Sequence, residues 1–86
     1  MEVTFHRRFT KQRDRLSRIQ QAQLKDRIKR FRLNPSTRVL RDHGLTGRYR
    51  GYRSINVTGD IRAVYKLLNK ELALFTHIGT HSQLYR

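Results

Sequence analysis

The chain has no cysteine and no tryptophan, a single proline, and only six acidic residues among 86. Without cysteine it has neither a disulfide framework nor a thiolate metal site. No pair among its four histidines has the spacing of metal ligands, so no metal and no other cofactor is expected. No apolar stretch approaches the roughly 20 residues that cross a bilayer, so a membrane is not the expected partner. Met1-Glu2-Val3-Thr4-Phe5 lacks the apolar core of a signal peptide, and the expected compartment is the cytoplasm. No repeat, linker or low-complexity tract divides the chain, and residues 1–86 read as one domain.

What is abundant is positive charge. Twenty Lys and Arg against six Asp and Glu give a net charge of +14, on a chain that is 36% hydrophobic. A domain this small and this polar has a thin core and little stability to spare. Its field repels other cations and attracts polyanions, with nucleic acid first among them, and such binding weakens steeply with salt. The same field predicts a protein partner of opposite sign, an acidic chain that neutralises this one.

The pattern of apolar residues divides the chain in two. Val3-Thr4-Phe5 reads as a short first strand, and residues 9–33 as helical. Leu24, Ile28 and Phe31 form one stripe at i, i+4 and i+7, while Phe9 and Leu16 share the seven-residue spacing. Ser17 is placed to cap a second helix, which makes the stretch a helical hairpin, and Asn34-Pro35-Ser36 ends it. Asp42 to Gly47 reads as a loop. Residues 52–57, 61–68 and 72–78 are three β-rich runs, with turns at Thr58-Gly59-Asp60 and Asn69-Lys70. The expected fold class is α+β, with the hairpin packed on one face of an antiparallel sheet. The opposite face is then open for the basic residues, with Arg48, Arg50, Arg53, Arg62 and Lys66 as candidates.

RNA carries its own nucleophile, the 2′-hydroxyl. Cutting it requires a group to take that proton, a group to protonate the departing 5′-oxygen, and fixed cations for the phosphorane. His43 in a loop, Asp60 at a turn, His81 beyond the last strand and the arginines are residues of the right kind. Each has a plainer reading: His43 as a loop histidine, Asp60 as a turn former, His81 as an exposed terminal residue, Tyr85 as a core anchor. His6 and His77 read as structural.

Four segments carry a resemblance. They are Asp42-His43-Gly44-Leu45-Thr46-Gly47, Gly51-Tyr52-Arg53, Gly59 to Leu67, and Ile78 to Tyr85. In that order and spacing the chain resembles toxins of the RelE/ParE superfamily, in the YafQ-like branch of messenger-RNA interferases. The resemblance implies a β-α-α-β-β-β microbial ribonuclease-like fold. It also implies the toxin of a type II toxin–antitoxin system, acting as a metal-independent endoribonuclease on messenger RNA in the ribosomal A site. The implied partners are the ribosome, the message and a cognate antitoxin, acidic and partly disordered, through which alone the toxin reaches operator DNA. By that resemblance His43, Asp60, His81 and Arg62 are catalytic. His81 is assigned as general acid and either His43 or Asp60 as base, and Tyr85 falls on an aromatic that stacks on a base. Asn56 stands where YafQ-like proteins have a further histidine, and Ile61 where they have tryptophan. Asn56 joins Arg48, Arg50, Arg53, Lys66 and Tyr85 as expected RNA contacts. A gyrase-inhibiting ParE-like toxin and a non-catalytic basic ribosome- or RNA-binding protein are the alternatives.

Overall fold

Ser17 stops one helix and starts the next. Its side chain accepts a hydrogen bond from the Gln20 amide at 3.1 Å, and Gln20 Oε1 accepts one from the Ser17 amide at 3.0 Å. This reciprocal cap satisfies two of the amides that a helix start leaves unpaired. In the structure, a computed structural model that describes residues 1–85, the caps and turns yield β1 (Glu2–Phe5), α1 (Arg7–Asp14), α2 (Arg18–Leu33), β2 (His43–Gly44), β3 (Arg53–Asn56), β4 (Ile61–Asn69), β5 (Leu72–Thr80) and α3 (His81–Leu84). Short 3-10 turns lie at Arg38–Leu40 and Gly47–Tyr49.

The strands form one sheet in the order β1-β5-β4-β3-β2. The β3-β4-β5 meander is antiparallel, as expected, and β2 joins it antiparallel to β3, but β1 runs parallel to β5, with Val3 opposite Ala73. A parallel neighbour needs a long crossover, which the helical hairpin and later strands supply. The expected loop at His43 is also a strand, because His43 and Gly44 pair with Ser54 and Arg53.

The helices α1 and α2 lie on one face of the sheet and share its core. Phe9, Leu24 and Phe31 are buried with Ile55, Ala63, Tyr65, Ala73 and Phe75, and Ile28 and Leu16 pack at the margin. Four aromatic rings meet at its centre. Phe31 meets Tyr65 at 4.9 Å and Phe75 at 5.2 Å, both edge-to-face, and Phe9 meets Phe75 at 5.7 Å. Such contacts add to the area that the rings bury, which matters in a core this thin.

The register of β4 on β5 shifts after Val64. Val64 faces His77, but Tyr65 faces Phe75, so Thr76 is an extra residue on β5. That bulge lets both Phe75 and Ile78 reach the core and turns His77 to the other face. There Arg8 Nη1 donates to His77 Nε2 at 2.7 Å, so the ring proton is on Nδ1 and points at Thr76 Oγ1, 2.8 Å away. Tyr49 packs on His77 at 5.4 Å, on Tyr85 at 5.7 Å and on Tyr52 at 6.0 Å. The face expected to be open is therefore partly roofed by an aromatic cluster.

Two outcomes are expected. Phe75→Ala loses about 3–5 kcal/mol in urea unfolding, the usual cost of emptying a fully buried aromatic site. Burial first, then the charges of Arg8 and His6, hold the His77 pKa below its ordinary value of 6.5. A base with a lowered folded-state pKa contributes its full stability above the unfolded value and loses it as pH falls through that value and then the folded one. Melting temperature should thus drop between about pH 7.5 and pH 5, and drop less in His77→Gln.

Candidate active site

The site begins with a strained turn. Leu40 is fully buried and pins the 3-10 turn to the core. Arg41 then adopts φ 46°, the left-handed region, where it is the non-glycine residue with positive φ among those described. That conformation costs roughly 1–2 kcal/mol. The next residue holds it in place. Asp42 accepts a hydrogen bond from Arg53 Nε on Oδ1 at 2.8 Å and one from the Tyr65 hydroxyl on Oδ2. Its side chain is 12% exposed, against 43% for Arg53. The bond to Asp42 holds the Arg53 pKa above its usual value, and burial, then Asp42, pushes up that of Tyr65.

This clamp determines the state of His43. Its Nδ1 lies 2.8 Å from the Arg41 carbonyl oxygen. A carbonyl only accepts, so Nδ1 carries the proton and donates it, leaving the lone pair on Nε2. The neutral ring is therefore held as a proton acceptor at the nitrogen remote from its own backbone.

Sheet register sets the neighbours. Across β2, β3 and β4, His43 is opposite Ser54 and Ser54 is opposite Val64; one step along, Asn56 is opposite Arg62. Side chains at i and i+2 on a strand share a face, so His43, Ser54, Asn56 and Arg62 form a block. The Arg62 guanidinium is oriented by the Thr58 and Ile61 carbonyls, at 3.1 and 3.3 Å.

α3 adds the remaining pieces. Thr80 accepts from the Gln83 amide at 3.1 Å, and Gln83 Oε1 accepts from the Thr80 amide at 2.8 Å. Gly79 makes room for this, because a Cβ there would lie 2.8 Å from Gln83 Oε1. His81 follows at once, its amide donating to the Asp60 carbonyl at 3.2 Å. Its ring packs on Tyr85, one turn later, at 4.8 Å.

These elements enclose an open cleft of about 540 Å³, lined by Arg41, His43, Leu45, Thr46, Ser54, Asn56, Arg62, His81 and Tyr85. Five of the expected site residues thus meet: His43, Asn56, Arg62, His81 and Tyr85. Asp60 is exposed at its turn, outside the cleft lining, and its carbonyl supports His81. Arg53 differs from expectation. It alternates with Ser54 along β3, so it points to the helix side and pairs with Asp42 rather than joining the open face. Arg48 lies 5.8 Å from the Tyr49 ring centre and Lys66 5.6 Å from that of Tyr52, while Arg50 is exposed; none of the three lines the cleft. Arg41, Leu45, Thr46 and Ser54 were not expected there. The i, i+2 relation of Ser54 to Asn56 is the signal that finds Ser54; the turn that brings in Arg41 has none. Among the described residues no group of three or more His, Asp or Glu is placed to hold a metal ion.

Known proteins resemble the chain in sequence and in fold. The family of bacterial toxins of type II toxin–antitoxin systems described as YafQ matches residues 1–86. The mRNA interferase toxin YafQ of Escherichia coli strain K12 is 41% identical over 51 residues, covering 59% of this chain and 54% of that one. The match thus spans about half the length of that relative. The crystal structure of YafQ from E. coli strain BL21(DE3) superposes with a TM-score of 0.79 at 26% identity, over 99% of this chain and 98% of that one. A chain of the E. coli DinJ–YafQ toxin–antitoxin complex gives 0.77 at 26% identity, over 99% and 97%. A YoeB/ParE toxin from Agrobacterium tumefaciens gives 0.77 at 18% identity, over 94% and 99%, which shows the shared fold.

The clamp is testable without any substrate. Asp42→Ala leaves Arg53 and the Tyr65 hydroxyl unpaired and should destabilise the fold by about 2–4 kcal/mol in urea titration. Nitrogen-15 NMR of the His43 ring should show the Nδ1-protonated form in the parent and a mixture of tautomers in the variant.

Proposed function

The chain belongs to the YafQ family of bacterial type II toxins, and we propose that it is a metal-independent endoribonuclease that cuts messenger RNA in the ribosomal A site. One observation carries this reading: His43, Arg62 and His81, supplied by β2, β4 and α3, line a single cleft, and His43 is held in the tautomer with Nε2 as acceptor.

The chemistry follows from that arrangement. His43 Nε2 takes the proton of the 2′-hydroxyl, and the 2′-oxygen forms a bond to phosphorus. Arg62 offsets the charge that builds on the phosphorane oxygens. The bond to the 5′-oxygen breaks as His81 gives that oxygen a proton, leaving a 2′,3′-cyclic phosphate, or a 3′-phosphate after hydrolysis, and a 5′-hydroxyl. The reaction needs His43 neutral and His81 protonated together, so its rate passes through a maximum with pH. His43 is preferred to Asp60 as the base because it lines the cleft and Asp60 does not. Asp60 acts instead through its backbone, which holds His81. Tyr85 buttresses His81 and offers its exposed side to a base. Asn56 and Arg41 contact the strand beside the scissile link.

The ribosome supplies what a small open cleft lacks. In-line attack requires the 2′-oxygen to lie opposite the 5′-oxygen, and holding reactants in such geometry contributes about 7–11 kcal/mol. Arg48, Arg50 and Lys66 lie outside the cleft and bind ribosomal or messenger phosphates. DinJ is the antitoxin bound to YafQ in the neighbouring complex. By analogy an acidic antitoxin neutralises the +14 charge of this chain, and the complex carries it to operator DNA. Such a system works in the cytoplasm, where the ribosomes are.

Translation of a defined message in vitro, with the 5′ ends of fragments mapped, tests the proposal. Cuts should fall in the A-site codon, and His81→Ala should slow them by about 10²- to 10⁴-fold. An intact message with inhibited DNA supercoiling would identify a gyrase toxin instead. An intact message with tight ribosome binding would identify a non-catalytic ligand.

A further inference from the structure

Among the described residues, two buried side-chain polar atoms have no hydrogen-bond partner: Ser54 Oγ and the Tyr85 hydroxyl. Both belong to residues that line the cleft. Folded proteins pair nearly all such atoms, so two orphans at one place call for an explanation. Ser54 is the sharper case. The whole residue is fully buried, and it is central in the sheet, where an apolar residue would be favoured.

Its position shows what the hydroxyl is for. Ser54 sits directly between His43 and Val64 across the strands, and next to Asn56, which is opposite Arg62. A phosphate that meets both His43 and Arg62 therefore lies over Ser54. We propose that Ser54 is a substrate-binding residue whose hydroxyl donates a hydrogen bond to a non-bridging oxygen of the reacting phosphodiester. The anionic oxygen is the partner that the fold withholds. This assignment rests on the nuclease reading given above. It makes the cleft a three-point phosphate site, in which Arg62 supplies charge, Ser54 a neutral donor and His43 the base.

The orphan also supplies an unusual test, because stability and activity should move in opposite directions. Removing an unpaired buried hydroxyl relieves a desolvation cost, whereas removing a group that binds a charged oxygen weakens catalysis. Ser54→Ala should melt at the parent temperature or up to about 4–8 °C higher, while A-site cleavage falls about 10- to 100-fold. Ser54→Cys, with a weak donor of similar shape, should fall between. Sulfur in place of a non-bridging oxygen at the scissile link should slow the parent protein and slow Ser54→Ala much less. A more stable variant that cleaves normally would overturn the assignment, and so would a less stable one, which would reveal a structural partner. An equal sulfur effect in both proteins would overturn it too. If the parent protein cuts no message, the nuclease reading fails, and a 2′-O-methyl dinucleotide then tests Ser54 separately. Weaker dinucleotide binding by Ser54→Ala, followed by NMR at His43 and Arg62, would uphold the phosphate contact. Unchanged binding would overturn it.

Discussion

The carboxylate of Asp42 is the contact on which the rest of the site depends. It ties the end of the 38–41 turn to β3 through Arg53 and to β4 through Tyr65. With buried Leu40 it holds Arg41 in its left-handed conformation, and so places the carbonyl that selects the His43 tautomer. Tyr65 is also a member of the aromatic core, packed on Phe31 and Phe75. One acidic side chain thus couples the core on the helix side of the sheet to the cleft on the other.

Acidic residues are scarce, and their placement divides the molecule. Asp26 pairs with Arg27 and Arg30 on the solvent side of α2, where the nearby guanidinium of Arg30 lowers its pKa, and Glu2 and Asp14 pair loosely at the surface. Exposed pairs of this kind contribute little. Among the described residues the cleft lining has no carboxylate. Its fixed charge comes from Arg41 and Arg62, which leaves a positive field where a polyanion would dock. The costs of that arrangement, an open basic cleft and buried unpaired hydroxyls, fall on a domain with a thin core. An acidic partner that covers the basic surface would relieve the self-repulsion.

Most of the fold was legible in the sequence because it follows from local rules. Ser17 caps as its type suggests, and the Leu24, Ile28, Phe31 stripe faces the core. The three β-rich runs form the central strands, within one or two residues of their expected ends. The parallel pairing of β1 and the strand at His43 were not legible, because both depend on segments distant in the chain. The site was half legible. His43, Asn56, Arg62, His81 and Tyr85, singled out by residue type, spacing and resemblance, line one cleft. Arg53 was misplaced because a one-residue alternation decides its face, and Ser54 was passed over because a serine in a strand looks inert.

The sequence by itself determined the charge, the helical hairpin, the order of strands along the chain and the identity of the titratable groups. Periodicity, turn chemistry and composition act over short distances, so they survive without a structure. Only the tertiary structure decided which of those groups meet. Strand register set His43 across from Ser54 and Asn56 across from Arg62. The bulge at Thr76 sent His77 away from the core, and the Asp42 clamp settled which nitrogen of His43 carries the proton. These are contacts between residues far apart in sequence, and their geometry exists only once the sheet has closed over its core.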